Sequence, residues 1–551
     1  ELIPSRGFQS SVDYTLLFGL GAVTKIDSVQ VLWPDMRKTT LLNVKVDTLL
    51  HIDQQQAIPI GHDAAPAPSL FTEKPSGLQQ HEEDDQVDFY LERNIPRLLS
   101  RIGPRAAVAD VNGDGLEDVY VSGTLKKPGQ LYLQTGSGFA VRTSLSEQLK
   151  GFEDIAAIFF DADNDGDQDL MLGAGGNHRP SYTKENQNRL YLNNGKGDFT
   201  RIDSLPKNMG NSAVLIAMDI DNDGDQDVFS GSCSMPVNYG VTPVNCFYIN
   251  NGKGQFSLMG KDQCGALTYA GMITGAVWQK QTNELVVVGE WMAPKVFKFS
   301  GGRFTETKTN LDSLSGWWQT VESADLDGDG DEDLVLGNIG RNFYLRPDAK
   351  QPVKLWINEF SNNMIPEKII TKTVNGKDVP VFLKRELTDQ IPILKKQNLR
   401  HQEYATKSIQ DLFTPEQIKS SEVKLFNYMQ SCVAWNEGNG KYSVQELPVP
   451  VQFSSVNAIV LADINNDGRK DIVAGGNIMG FQPQFSRVDA SYGHVLINNG
   501  NRQWNYVSEM RSGIELAGEV RDIKQIMVGK KPGYLFLRNN DFPVFYSISE
   551  K

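Results

Sequence analysis

Asp161-Ala162-Asp163-Asn164-Asp165-Gly166-Asp167-Gln168-Asp169 sets a carboxylate at every second position. Charges crowded this closely repel one another unless the backbone turns them onto a shared cation. Gly166, sixth in the stretch, permits the sharp turn, and the carbonyl of Asp167, the seventh residue, adds an oxygen. Ca2+ takes roughly six to eight hard oxygens, so the stretch reads as a calcium loop. Four further stretches carry the pattern: Asp110, Asn112, Asp114, Leu116 and Asp118; Asp219, Asp221, Asp223, Asp225 and Asp227; Asp325, Asp327, Asp329, Asp331 and Asp333; Asp463, Asn465, Asp467, Arg469 and Asp471. In each set the fourth-named residue contributes through its carbonyl. An EF-hand places a Glu at the twelfth position on a following helix, where this chain has Val121, Leu172, Ser230, Leu336 or Ala474. The Asp in ninth place substitutes for that Glu and closes each loop from the start of a strand.

Each loop runs into a short apolar stretch of strand length: Val119 to Gly123, Leu170 to Gly173, Val228 to Gly231, Leu334 to Gly337 and Ile472 to Gly475. A second strand follows and typically ends in an Asn-Gly turn, as at Asn194-Gly195, Asn251-Gly252 and Asn499-Gly500, a strong hairpin signal. Each period is therefore a small antiparallel sheet with its metal loop between the first two strands. Loops begin at 110, 161 and 219, and the next begins at 325, two periods on. A copy without metal fills that gap as Ile273–Trp278, Glu284–Gly289 and Val296–Phe304. The step from 325 to 463 is longer than one period and places an insertion at about 360–425. Glu386–Lys396 and Ser408–Ser421 have helical spacing there, and Thr414-Pro415-Glu416-Gln417 supplies an N-cap, a first-turn Pro and a capping-box Gln. A last degenerate copy lies at Val520–Ile526, Gly533–Arg538 and Val544–Ser549, which makes seven. Seven four-stranded sheets that each lack cover on both faces predict an all-β, seven-bladed β-propeller over residues 87–551.

The loops, recurring in register, resemble the FG-GAP/VCBS repeats of bacterial surface proteins and of the integrin α-subunit head. Residues 1–53 alternate apolar and polar around Gly and Pro-Asp turns, as a small β unit does. In it, Gly7-Phe8-Gln9-Ser10, Phe18-Gly19-Leu20-Gly21 and Val31-Leu32-Trp33-Pro34-Asp35 resemble part of the ASPIC/UnbV segment associated with cartilage acidic protein and its bacterial relatives. This resemblance implies a surface or periplasmic setting and brings no catalytic residue. Trp33 and Phe18 read as core residues. Residues 54–86 read as a linker, extended at Ala64-Ala65-Pro66-Ala67-Pro68, with Glu82-Glu83-Asp84-Asp85 as a solvated charge run.

The formal charge is −14, yet the loops alone hold 21 Asp, and five Ca2+ ions would bring −14 to −4. The acidity reads as a metal requirement, and without a basic stripe the chain is not expected to bind nucleic acid. No apolar run approaches the roughly 18 residues of a membrane span. The chain opens on Glu1 and is read as processed, or as a piece of a larger multidomain protein. Loops of this kind fill at external calcium levels, so the expected location is extracellular, cell-surface or periplasmic. His51, His62, His81, His178, His401 and His494 show no metalloprotease spacing, Gly-x-Ser-x-Gly is absent, and Gly173-Ala174-Gly175-Gly176 reads as a turn.

The expected function is a binding or adhesion module for a glycan or protein ligand, held rigid by about five Ca2+ ions. The alternatives are a calcium-dependent polysaccharide-degrading enzyme and a structural spacer of an envelope protein. The ligand is expected on the open face and the insertion, with Trp278, Glu290, Trp291, Met292, Trp317 and Trp318 at the blade entrances, where core packing between blades is the alternative role for each Trp. Lys384, Arg385, Lys395, Lys396 and Arg400 read as solvated helix faces. Among Cys233, Cys246, Cys264 and Cys432, the first two, joined by a 12-residue connection, are expected to form a disulfide, with Cys264 the rival partner and buried free thiols the alternative.

Overall fold

A computed structural model describes residues 11, 13, 15–35, 37–59, 69–136, 138–180, 182–361, 364–397, 400–529 and 531–549, in two compact units, Glu1–Ala67 and Pro68–Lys551. In the first unit Lys25–Leu32, Arg37–Lys45 and Ile58–Pro59 form a three-stranded antiparallel sheet. Trp33 donates its indole N–H to Thr39 Oγ1 at 2.9 Å. Phe18 is exposed and does not take the core place expected of it. Gly7-Phe8-Gln9-Ser10, His62 and Ala64–Pro68 lie outside the described residues.

The second unit is built of four-stranded antiparallel sheets, because strands of β-branched and aromatic residues alternate with Asp-Gly loops and Asn-Gly turns that reverse the chain. Sheets I to IV each take four successive strands, over residues 106–142, 154–202, 211–258 and 272–307, and in sheet IV the short strand Gly316–Trp317 pairs with the second strand as a fifth. Sheet V joins Thr320–Ala324 and Asp333–Gly337 to Cys432–Asn436 and Tyr442–Glu446, and sheet VI spans 456–507. Sheet VII takes Glu519–Val528, Lys531–Asn539 and Val544–Ile548 and receives its fourth strand from Phe71–Lys74. Phe71 lies opposite Ile548 and Lys74 opposite Phe545. A stretch of the expected linker 54–86 thus ties the start of this unit to its end. The first strand of each sheet packs on the first strand of the next, and that of sheet VII on that of sheet I, so the succession closes on itself. Second strands such as Asp118–Val121 and Asp227–Ser234 are buried along their whole length, because neighbouring sheets cover both faces. Among the described residues no helix is long and apolar enough to cross a membrane.

The insertion falls between the second and third strands of sheet V and spans 338–431, wider than the expected 360–425. It contributes its own sheet, in the order Lys377–Pro380, Glu367–Val374, Val353–Asn358, Glu422–Phe426. Short helices bury Leu387, Ile391, Tyr404 and Leu412 against Trp356 and Ile369 of that sheet. The capping box forms as expected: Thr414 Oγ1 accepts the Gln417 N–H at 3.3 Å, and Gln417 Oε1 accepts the Thr414 N–H at 3.2 Å.

Leu355, Ile357, Ile370 and Phe426 of the inserted sheet close a core with Trp291, Trp317, Phe343 and Phe481. Trp317 stands with its ring centroid 5.3 Å from Trp291 and 4.9 Å from Phe343. Trp317 and Trp318 are fully buried, Trp291 is 3% exposed, and Glu290 and Met292 are also buried, while Trp278 is half-buried. Of the two readings of these aromatics, ligand anchor and core packing, the structure takes core packing, since the apolar face of the insertion needs a partner. The disulfide expectation is corrected. All four cysteines are free and buried. In the hairpin Cys246 lies opposite Ser230, which leaves Cys233 three residues beyond the pairing.

Candidate metal centres

Each acidic loop joins the first strand of its sheet to the second, so antiparallel pairing brings all five to the same end of the unit. The turn needs two left-handed residues. Position six is always Gly, with φ of 83°, 92°, 96°, 96° and 87° at Gly115, Gly166, Gly224, Gly330 and Gly468. Position four is left-handed too and is always Gly or Asn: Gly113, Asn164, Asn222, Gly328 and Asn466.

One oxygen of the first Asp accepts the glycine N–H in every loop, at 2.8 Å for Asp110 and Asp463, 3.0 Å for Asp161, 3.1 Å for Asp325 and 3.3 Å for Asp219. Asp114, Asp165, Asp223, Asp329 and Asp467 each accept the N–H of the residue two ahead through one oxygen. The ninth-position Asp does most to tie the loop to its sheet. Asp169 is 1% exposed; its Oδ2 accepts the Ala162 N–H at 2.9 Å and its Oδ1 the Asn193 N–H at 2.7 Å. Asp118, Asp227, Asp333 and Asp471 repeat this clasp. Burial pushes Asp118 and Asp333 up to about 6 and Asp169 and Asp227 up to about 7, against the pull of those two donors, and neighbouring loop carboxylates push the same way.

A calcium ion fits the donor set of three loops closely. Ligand oxygens of Asp161, Asp163 and Asp169 lie within 4.8 Å of one another, as do those of Asp219, Asp221 and Asp223 and those of Asp325, Asp327 and Asp333. Asp161 Oδ1, Asp163 Oδ1, Asp225 Oδ1 and Asp327 Oδ1 are buried carboxylate oxygens without a hydrogen-bond partner, which is costly unless a cation meets them. The loops of sheets I and VI are poorer. Asn112 and Asn465 donate their amides to Asp114 and Asp467 at 3.1 and 3.0 Å, and Arg469 pairs with Asp467 at 2.5 Å.

Sequence reasoning missed the asparagines that join one loop to the next. Asn250 Nδ2 donates to the Gln226 carbonyl in its own loop at 3.1 Å and to the Ala162 carbonyl in the preceding sheet's loop at 2.9 Å. Asn193 spans Gln168 and Val111 in the same way, and Asn498 spans Lys470 and Leu326. The signal was present, because each is the first Asn of the Asn-Asn-Gly turn. Asn250→Ala leaves two buried carbonyls short of a donor and is expected to cost about 1–3 kcal/mol in thermal denaturation. It is also expected to weaken calcium binding in sheets II and III, read by titration.

At the opposite end, where second strands lead to third strands, residues 79–103 run as a strap. Leu98 N–H donates to the Gly480 carbonyl at 2.7 Å and His81 N–H to the Asp541 carbonyl at 3.0 Å. The acidic run 82–85 is not uniformly solvated as expected. Glu83 is buried and accepts Asn539 Nδ2 at 2.5 Å; burial, then Glu153, push its carboxyl up to about 8. His178 Nε2 faces Asp84 at 2.9 Å and Nδ1 faces Glu153 at 3.2 Å. Burial alone would lower this histidine, but the two carboxylates raise it to about 10. Opposite ring nitrogens facing separate carboxylates suit a bridging imidazolium better than a metal ion, which would take one nitrogen. Beside the strap opens a cleft of about 900 Å3, walled by the helix Lys384–Gln390 of the insertion, the turn at 478–484 and residues near 518–521 and 539–541. Arg385, Glu386 and Asp389 of the insertion line this cleft.

Known proteins share parts of this chain. The model of the ASPIC and UnbV family matches residues 1–59, and that of the FG-GAP-like repeat matches 110–172, 181–230 and 281–336. Over 103 residues the chain is 30% identical to integrin alpha-4 of Xenopus laevis, which covers 17% of this chain but only 10% of that protein's length. Among solved structures it is similar to YCF48 bound to D1 peptide, with TM-score 0.40 and 9% identity over 85% of this chain and 100% of that one. The Vibrio cholerae (V. cholerae) biofilm matrix protein Bap1 matches with TM-score 0.33 and 9% identity over 88% of this chain and 92% of that one. An ancestral GH74 enzyme matches with TM-score 0.40 and 10% identity over 82% and 48%. Likenesses this distant carry no argument about ligand or activity.

Proposed function

We propose that this chain, which carries FG-GAP-like repeats and an ASPIC and UnbV segment, is a calcium-stabilised seven-bladed β-propeller serving as an extracellular or surface binding module for a glycan or protein ligand. The observation that carries the calcium reading is the set of buried, partnerless loop oxygens on Asp161, Asp163, Asp225 and Asp327. Seven sheets whose first strands pack in closed order, with Phe71–Lys74 completing the last, support the propeller. Loops with three carboxylates and backbone carbonyls suit calcium at external concentrations. The division of labour supports binding: loop carboxylates at one end hold the sheets, which leaves the cleft at the other end free for a ligand.

Calorimetric titration of chelator-stripped protein tests the reading. Three tighter sites are expected, in sheets II, III and V, with weaker ones in I and VI, where Asn replaces an Asp and Arg469 competes. Magnesium is expected to bind far more weakly, because it demands a smaller octahedral shell. Absence of calcium uptake would overturn the reading. A glycan and peptide array run with and without calcium tests the module itself.

A further inference from the structure

We propose that the 900 Å3 cleft between the insertion helix and the 478–484 turn binds an acidic oligosaccharide, with Arg101 and Arg521 receiving a uronic carboxylate and Tyr90 receiving a sugar face. This deepens the binding reading above and rests on it. The volume suits an oligomer of several rings, within the range of ligand clefts.

The acids of the lining are already engaged. Glu519 pairs with Arg521 at 2.5 Å and accepts the Met479 N–H at 3.3 Å. Asp541 pairs with Arg538 at 2.8 Å, and Asp389 with Lys395 at 3.3 Å. Glu386 caps its own helix by accepting the Leu383 N–H at 3.0 Å and accepts Gln484 Nε2 at 2.7 Å. Of the two arginines, Arg521 already shares Glu519 and donates to the Arg101 carbonyl at 2.9 Å, while Arg101 has no such partner among the described residues. Arg101 meets only the carbonyls of Asp84 and Gln86, at 3.4 and 3.3 Å, and forms no ion pair with a described carboxylate. Its Nε and that of Arg521 are buried and have no acceptor, and Arg521 is 4% exposed. Burial of such N–H groups is unfavourable until an oxygen reaches them, and a carboxylate is the acceptor a guanidinium binds best. Burial holds the Arg521 guanidinium below its usual range; Glu519 and Glu83 pull it up, and Arg97 and Arg105 push it down.

The remaining lining fits a sugar better than a peptide. Tyr90 is 79% exposed, a flat apolar body with a polar tip, of the kind that covers the C–H face of a pyranose ring. Gln484 and Asn539 commit their amide N–H groups to Glu386 and Glu83, which leaves their amide oxygens, and Asn540 Nδ2, to meet hydroxyls. An extended peptide is held by a free sheet edge or by successive apolar pockets, whereas these walls are a helix and turns. The cleft lies at the end away from the acidic loops, and its own acids, Glu386, Asp389, Glu519 and Asp541, are held by the partners named above.

The test uses the full chain with saturating calcium and hexasaccharides bearing glucuronate, mannuronate or galacturonate, each beside its carboxyl-reduced counterpart and an acidic peptide of equal charge. At least one uronate is expected to bind, with loss of about tenfold or more on carboxyl reduction and in Arg101→Gln. Tyr90→Ala and Arg385→Ala, both at exposed positions, are expected to weaken the same ligand severalfold with the melting curve unchanged, which keeps the test open if Arg101→Gln fails to fold. Binding to none of the uronates, binding indifferent to carboxyl reduction or to Tyr90→Ala, or tighter binding of the peptide would each overturn the proposal. A neutral glycan or a peptide found on the array would sink this ligand class while leaving the binding module standing.

Discussion

Excess EDTA is expected to lower the melting temperature by several degrees or more, and to do so more strongly at pH 8 than at pH 5. With external calcium of about 1 mM and site constants of about 0.1–1 mM, mass action gives roughly 0.4–1.4 kcal/mol per site and about 2–7 kcal/mol for five sites. The pH dependence follows from the clasp carboxylates. Without a cation, burial raises Asp169 and Asp227 to about 7 and Asp118 and Asp333 to about 6. A folded-state value above the unfolded one, about 4, means that this part of the metal-free fold's stability is fully present below that value. It is lost as the pH rises through 6 to 7. Calcium takes the ionised carboxylates, so its contribution grows across the same window. Differential scanning calorimetry with and without chelator reads both effects. An equal drop at the two pH values would remove the clasp from the account, and no drop at either would remove calcium.

The loops were legible because their chemistry is local. Nine consecutive residues from Asp161 to Asp169 contain the acids, the turn glycine and the closing Asp, and one half of the clasp, the Ala162 N–H on Asp169, forms within them. The Asn-Gly turns were legible for the same reason. The misses all depend on distant segments. Phe71–Lys74 is a four-residue strand beyond a Pro-rich stretch, and only pairing with Val544–Ile548 makes it one. Val353–Asn358 carries the apolar alternation of any strand, so local pattern did not separate the insertion's own sheet from the sheet it interrupts. Trp291 and Trp317 had the composition of a binding face and of a core alike, and the apolar side of the insertion decides which they are. The cleft draws on residues near 90, 101, 385, 480, 520 and 540, a convergence that no period in the sequence marks.

Arg97→Ala is expected to destabilise the second unit by about 3–5 kcal/mol, the usual result of stripping one partner from a fully buried pair. Arg97 lies in the strap and Glu290 ends the second strand of sheet IV; they meet at 2.7 Å with side chains only 4% and 2% exposed. Tyr239 of the stretch after sheet III's second strand donates its hydroxyl to Glu290 Oε2 at 2.9 Å and accepts the Trp291 indole N–H at 2.7 Å. The Tyr239 N–H donates to Glu92, which pairs with Lys368 of the inserted sheet. Strap, ring of sheets and insertion therefore share one polar cluster inside the aromatic core. Alanine at position 97 leaves the Glu290 carboxyl in that core with a single hydroxyl donor, whereas Arg97→Met with Glu290→Met removes both polar partners and keeps much of the volume. The double variant is expected to recover most of the loss, since the attraction of such a pair roughly offsets its desolvation. Urea unfolding followed by tryptophan fluorescence reads this region directly, because Trp291 and Trp317 lie beside the cluster. A loss under about 1 kcal/mol for Arg97→Ala, or a double variant worse than the single, would show that water reaches the pair and that the strap is not locked there.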